Sequence, residues 1–280
     1  MVLLVNGDHE PGPDEVASGK VWGWDGRSWR VVSTDGPVAR SLGGVAYDSG
    51  RDRLVVYGGS TATQCLTDTW EWDGRRWERK DVPAGELCDH IAMVYDSERG
   101  KAVLVGGQAP GVKLRAGTWE WDGRSWAQAS ASEPPPRVHY TFAYDSARKR
   151  AVLFGGYDGQ KALGDTWEWD GSAWKQMNAS AGPAPRDGMR MAFDVRAGKL
   201  VLFGGAIGRG GSPLGDTWTW DGAQWSKVAE DGPPGRCYHA MAYDPVRDKI
   251  VLFGGYDGAN NLGDTWEWDG SVWTCVAGCR

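Results

Sequence analysis

Trp266-Glu267-Trp268-Asp269-Gly270-Ser271-Val272-Trp273 is the last of six copies of one motif, Trp-x-Trp-Asp-Gly-x-x-Trp. The earlier copies begin at Trp22, Trp70, Trp119, Trp167 and Trp218, so successive starts lie 48, 49, 48, 51 and 48 residues apart. Together they hold all 18 tryptophans of the 280-residue chain. A fixed period of this size marks a repeat architecture, in which each copy is one supersecondary unit that buries its apolar face against its neighbours.

Working outward, the last copy reads as four strands. Tyr238–Asp244 is the first, and Pro245-Val246-Arg247-Asp248 is a polar turn. Lys249–Gly255 is a continuous apolar run, the pattern of a strand buried on both faces. It closes on Gly254-Gly255, as earlier copies close on Gly58-Gly59, Gly106-Gly107, Gly155-Gly156 and Gly204-Gly205, with Asn6-Gly7 in the first. Paired glycines there admit positive φ and close backbone approach. Asp264–Trp268 and Trp273–Val276 flank Asp-Gly, a strong hairpin signal. A two-residue loop would pair Trp22 with Trp29, Trp70 with Trp77 and Trp119 with Trp126. Trp-x-Trp alternation places both indoles on one strand face. Because every copy carries them, they read as packing between blades rather than as a sugar-stacking platform.

Four antiparallel strands per copy, six copies and no helical period predict an all-β, six-bladed β-propeller of four-stranded antiparallel blades, formed as a single domain over 1–280. Blade limits fall near 1–35, 36–83, 84–132, 133–180, 181–230 and 231–280. The first blade starts at a second-strand pattern, Val2 to Val5, and is expected to be three-stranded, which would leave an edge for strand addition. Gly-Gly, the aromatic strand and the Trp across a turn resemble the Kelch repeat of Kelch and galactose-oxidase-like propellers, here in a Trp-rich form. The resemblance covers nearly the whole chain and implies the fold. It carries over no copper-ligand residue, because none of that motif can be matched position by position.

Net charge of −6 and scattered arginines argue against a nucleic-acid partner. No apolar stretch reaches the length of a membrane helix. The N-terminus lacks a signal-peptide pattern, so the chain reads as cytoplasmic or as a mature or trimmed form. The five cysteines make no zinc spacing. They are expected to be reduced, although Cys275 and Cys279 are close enough to bridge.

Departures from the repeat point to the site. Eight residues before the Asp ending each first strand lie Arg40, Cys88, Arg137, Arg186 and Arg236. This column reads as bonding the carbonyls or carboxylates of a neighbouring blade, or, facing the pore, as an anion anchor. Six, five and four residues before that Asp the columns vary. They contain His90, His139, Tyr140, Arg190, Tyr238 and His239. Equivalent positions of different blades converge near a propeller axis, so these six with Arg186 are the expected ligand-binding set. Cys88, His90, His139 and Cys237 are weaker metal candidates, and no cofactor is expected otherwise. The insert Asp8 to Lys20, carrying His9, Glu10, Asp14 and Glu15, reads as a solvated loop or a lid.

Two functions follow. One is a binding module for a protein, peptide or glycan through one face of the ring. The other is an enzyme at an axial pocket, with a His as acid/base and an Arg as anion anchor, acting on a small polar substrate such as a sugar. Sialate mutarotase-like propellers host such chemistry on this type of fold, which is an analogy of fold alone. Partners are expected to be a protein, a peptide or a small polar ligand, without nucleic acid or membrane, and the chain reads as a monomer.

Overall fold

A computed structural model describes residues 1–5, 19–82, 85, 87–111, 113–130, 133–208 and 210–279. Asn6-Gly7 and the insert residues His9, Glu10, Asp14 and Glu15 lie outside that set. The described residues form 23 strands in six antiparallel sheets. Blade 1 has three, Val2–Val5, Val21–Trp24 and Trp29–Ser33, and the other five blades have four each in chain order. The expected propeller and its three-stranded first blade are therefore observed. The inner strands Gly44–Asp48, Ala92–Asp96, Thr141–Asp145, Arg190–Asp194 and Ala240–Asp244 pack side by side around the axis. No helix long and apolar enough to cross a membrane occurs among the described residues.

The second strand of each blade is buried because sheets cover both its faces. Val152, Leu153 and Phe154 are inaccessible, as are Leu200, Leu202 and Phe203. The closing glycines adopt the predicted positive φ, +65° at Gly155 and +104° at Gly156. A Cβ on Gly156 would approach the Val138 carbonyl oxygen to 2.7 Å.

The hairpin register differs from the expected one. Trp24 pairs with Trp29 and Trp22 with Val31, around the four-residue loop Asp25–Ser28. Asp25 Oδ1 accepts from the amides of Arg27 at 2.8 Å and Ser28 at 2.9 Å. The aspartate side chain caps the turn, lengthening the loop and shifting the pairing by two residues. The same capping recurs at Asp73, Asp122, Asp170, Asp221 and Asp269.

The indoles lie between blades. The second Trp of each motif is buried, and Trp121 donates to Glu71 of the preceding blade at 2.9 Å, as Trp220 does to Glu168 at 3.0 Å. The third Trp donates to a threonine of the preceding blade: Trp126 to Thr69, Trp174 to Thr118, Trp225 to Thr166 and Trp273 to Thr217. Trp24 and Trp29 make the same bonds to Glu267 and Thr265, joining blade 1 to blade 6. The acceptor glutamates are held in turn, Arg51 bridging Asp48 and Glu71 at 2.6 Å each.

The repeated arginines are clamps within their own blade, not between blades. Arg40, Arg137, Arg186 and Arg236 grip Asp68, Asp165, Asp216 and Asp264 through both guanidinium nitrogens. Each also donates to the carbonyl of the first closing glycine. Blade 3 lacks both partners, holding Cys88 and Gly117 there. A disulfide from Cys88 to Cys65 of blade 2 stands in their place. Cys275 and Cys279 are also bridged, whereas Cys237 is a buried thiol. The expected reduced state therefore fails for Cys65 and Cys88, which folding brings together across 23 residues of sequence.

Candidate functional site

One backbone feature builds the site. The residue two places before each inner strand is left-handed in all five four-stranded blades: φ is +59° at Leu42, +51° at His90, +56° at His139, +68° at Gly188 and +60° at Tyr238. Non-glycine residues rarely hold this conformation and do so where surrounding structure enforces it. Here the preceding residue is bridged to the end of the second strand, as in Asp89 with Gln108 and Asp187 with Ala206. Adjacent blades are also linked, Tyr238 N donating to Gly188 O at 2.7 Å and Gly188 N to His139 O at 2.9 Å.

Leu42, His90, His139 and Tyr238 thereby line an axial cavity of about 600 Å³. The rings of His90 and His139 lie 4.7 Å apart, and those of His139 and Tyr238 5.1 Å apart. The tyrosine spans two blades because Gly188 leaves the intervening place open. A Cβ on Gly188 would stand 3.0 Å from Tyr238 Cε1.

Two carboxylates that the column comparison missed lie close to the histidines. His90 Nδ1 lies 3.2 Å from Asp89 Oδ1, and His139 Nδ1 lies 3.9 Å from Asp187 Oδ2. Burial alone would raise the Asp89 carboxyl, but contacts from His90 and Ser60 hold it below the usual carboxylate range. The legible signal was position: each aspartate directly precedes a residue of the left-handed column or its neighbour in the next blade.

Arg190 opens the inner strand of blade 5, where the sister blades carry Gly44, Ala92, Thr141 and Ala240, and all five line the cavity. Its guanidinium donates to Met189 O at 3.0 Å and has no carboxylate partner among the described residues. Burial lowers its proton affinity, offset in part by the nearby Tyr238, Cys237 and Tyr140.

The remaining predicted residues sit elsewhere. Arg186 is 1 % exposed and closed on Asp216, Gly204 O and Ala184 O, so it does not reach the cavity as an anion anchor. Tyr140 reaches the cavity wall but is buried. Its hydroxyl donates to Val105 O of the preceding blade and accepts from Ala92 N, acting as a clasp. His239 occupies the same column, also borders the cavity, and is 1 % exposed with neither ring nitrogen hydrogen-bonded. Burial, then Arg190 and Arg236, push its pKa well below the ordinary value, so the ring is neutral.

The four metal candidates do not come together as one ligand set. Cys88 is in the disulfide, and burial raises the Cys237 thiol to about 11. Among the described residues no three His, Cys, Asp or Glu side chains form a metal-ligand group.

The profile of the KLHDC2/KLHL20/DRC7 Kelch-repeats domain matches residues 89–277, more than half of the chain. The chain belongs to this Kelch-repeat family. The Kelch propeller is also similar to a solved structure described as that of YjhT. The TM-score is 0.74 at 14 % identity, over 91 % of this chain and 90 % of that one, a likeness of fold alone. No curated protein matches the sequence. Kelch propellers generally bind proteins, and the fold serves binding modules and enzymes alike.

Proposed function

We propose that this propeller binds a small polar anion, of the carboxylate or phosphate class, in its axial cavity. The observation that carries the reading is Arg190. It is the single arginine of the inner-strand column, it stands among Gly, Ala and Thr equivalents, and no described carboxylate neutralises it. A half-buried cation without a counter-ion in a concave site favours an anionic ligand, and a planar guanidinium holds two oxygens at once. His139 and Tyr238, which line the same cavity, supply donors and acceptors for the ligand's hydroxyl groups.

A catalytic reading draws on a separate observation, the Asp89–His90 pair. The Asp89 carboxylate, 3.2 Å from His90 Nδ1, gives the imidazole a proton-accepting neighbour at the cavity wall. The enzyme remains the second reading because the pair acts only on a ligand that Arg190 has placed.

Thermal unfolding in the presence of inorganic phosphate, acetate and glucuronate tests the first reading, with uncharged glucose as control. At least one anion should raise the Tm, and Arg190→Met should abolish the rise. Equal stabilisation of the variant, or none by any anion, contradicts it.

A further inference from the structure

Blade 3 exchanges a clamp within the blade for a covalent bond to its neighbour. Cys88 takes the arginine position and Gly117 the aspartate position, and the Cys65–Cys88 bridge reaches from blade 3 into blade 2. The two sulfurs meet different surroundings. Cys88 is inaccessible, whereas Cys65 is exposed, in a turn with the exposed Ala62, Thr63 and Gln64. That turn closes on itself by bonds from Thr61 N to Gln64 O and from Leu66 N to Gly59 O, each 2.8 Å. The second bridge, Cys275–Cys279, spans only four residues and crosses no blade boundary.

The Cys65–Cys88 bridge stands directly behind the cavity wall. The second closing glycine of a blade donates its amide to the residue at the clamp position of the next: Gly156 to Arg186 O, Gly205 to Arg236 O and Gly59 to Cys88 O. In the first two pairs the acceptor residue is locked on a carboxylate of its own blade. In the third it is held by Cys65. The same turn reaches the cavity by a second path. Ser60, bridged to Cys65 along the backbone, hydrogen-bonds through its side chain to Asp89, which contacts His90. Opening the bond also leaves the buried sulfur a place to settle. Cys88 Sγ lies 3.5 Å from Gln108 O of its own blade, an acceptor for a freed thiol.

We propose that Cys65–Cys88 is a redox switch, opened by a dithiol reductant, that sets how firmly the Asp89–His90 side of the axial cavity is held. A thiolate of the dithiol attacks the accessible Cys65 sulfur. The Cys65–Cys88 bond breaks as a mixed disulfide forms on Cys65, and Cys88 leaves as a thiolate that takes up a proton. The second thiol of the reductant then displaces Cys65, which is protonated in turn. The dithiol is oxidised to its own disulfide, and its two electrons reduce the cysteine pair. Blades 2, 4, 5 and 6 hold the equivalent point by an arginine–carboxylate pair that a reductant does not affect, so the response is confined to this wall. This inference does not depend on the anion reading.

Dithiothreitol serves as the dithiol in the test, read by alkylation with peptide mass mapping, amide hydrogen exchange and histidine-ring NMR spectra of the folded protein. Reduction should open Cys65–Cys88, speed exchange of the Gly59 amide about tenfold and shift the His90 ring signals, leaving those of His239 in place. Oxidised glutathione should restore the starting spectrum. Cys65→Ser with Cys88→Ser should match the reduced protein throughout. Cys88→Arg with Gly117→Asp in a Cys65→Ser chain installs the clamp of the other blades and should keep Gly59 exchange slow without the bridge. A Cβ at 117 lies 3.2 Å from Trp119 Nε1, and the clamp aspartates Asp68 and Asp165 accept from the matching indoles. Three outcomes would overturn the proposal: a bridge that opens only when the protein unfolds, an opened bridge with Gly59 exchange and His90 signals unchanged, or collapse of all histidine signals together on reduction.

Discussion

The Tyr238 hydroxyl lies 3.5 Å from Nδ1 of His139, two blades away, because the blade between them carries Gly188 at the matching left-handed position. A methyl group there would meet both Tyr238 Cε1 and Cys237 Cβ at 3.0 Å. Gly188→Ala should therefore cost about 1–2 kcal/mol. The cost should shrink in a Tyr238→Leu background, which restores the side chain that Leu42 shows this position accepts. A denaturant double-mutant cycle measures the coupling, and additive costs would refute the contact.

Two arginines four residues apart should behave oppositely. Arg186→Met leaves the half-buried Asp216 without its partner and should destabilise by about 1–3 kcal/mol. Arg190→Met breaks no described ion pair and should change stability by less than about 1 kcal/mol. Urea unfolding of the two variants checks the order.

His239 gives a pH signature. Its folded pKa lies well below the ordinary 6.5, so the unfolded chain binds the extra proton. Its contribution is present above the unfolded pKa and is lost as pH falls below about 6.5, at roughly 1.4 kcal/mol per pH unit. His239→Met, which copies Met189 of the sister column, should flatten this slope. The clamp carboxylates Asp68, Asp165, Asp216 and Asp264 resist burial through their arginines and sit below 3.8. Their contribution holds above the ordinary carboxylate pKa and is lost below it. An unchanged slope between pH 6.5 and 4.5 in the variant would rule out the neutral buried imidazole.

The Cys65–Cys88 bridge replaces an arginine–aspartate clamp, and closing a loop of this separation stabilises by about 3 kcal/mol in the chain-entropy picture. Thiol titration without reductant should find one reactive group, Cys237, and only after unfolding. Cys65→Ser with Cys88→Ser should lower the Tm. Three or more thiols in the native protein would contradict the pairing.

Much of this was legible before folding. The indoles of Trp24 and Trp121 recur in every copy, so their place between blades followed from repetition alone. Arg186 and Arg190 show how far that logic reaches. Arg186 shares its column with Arg40, Arg137 and Arg236 and is architectural, whereas Arg190 departs from its column and lines the cavity. The hairpin register was missed because Asp25 caps a loop through its side chain, which a backbone turn rule does not include. Cys65–Cys88 was missed because sequence separation does not encode proximity. The joint departure at Cys88 and Gly117 was the available signal, two members of one clamp lost together.

The axial cation is tested most directly by diffraction from crystals grown with selenate, whose anomalous signal locates the anion without assumption. An anomalous peak within hydrogen-bond distance of the Arg190 guanidinium, beside Tyr238 and His139, is the predicted result, absent from Arg190→Met crystals. Selenate bound only on the outer surface, or Arg190 found closed on a carboxylate of the protein, would contradict it.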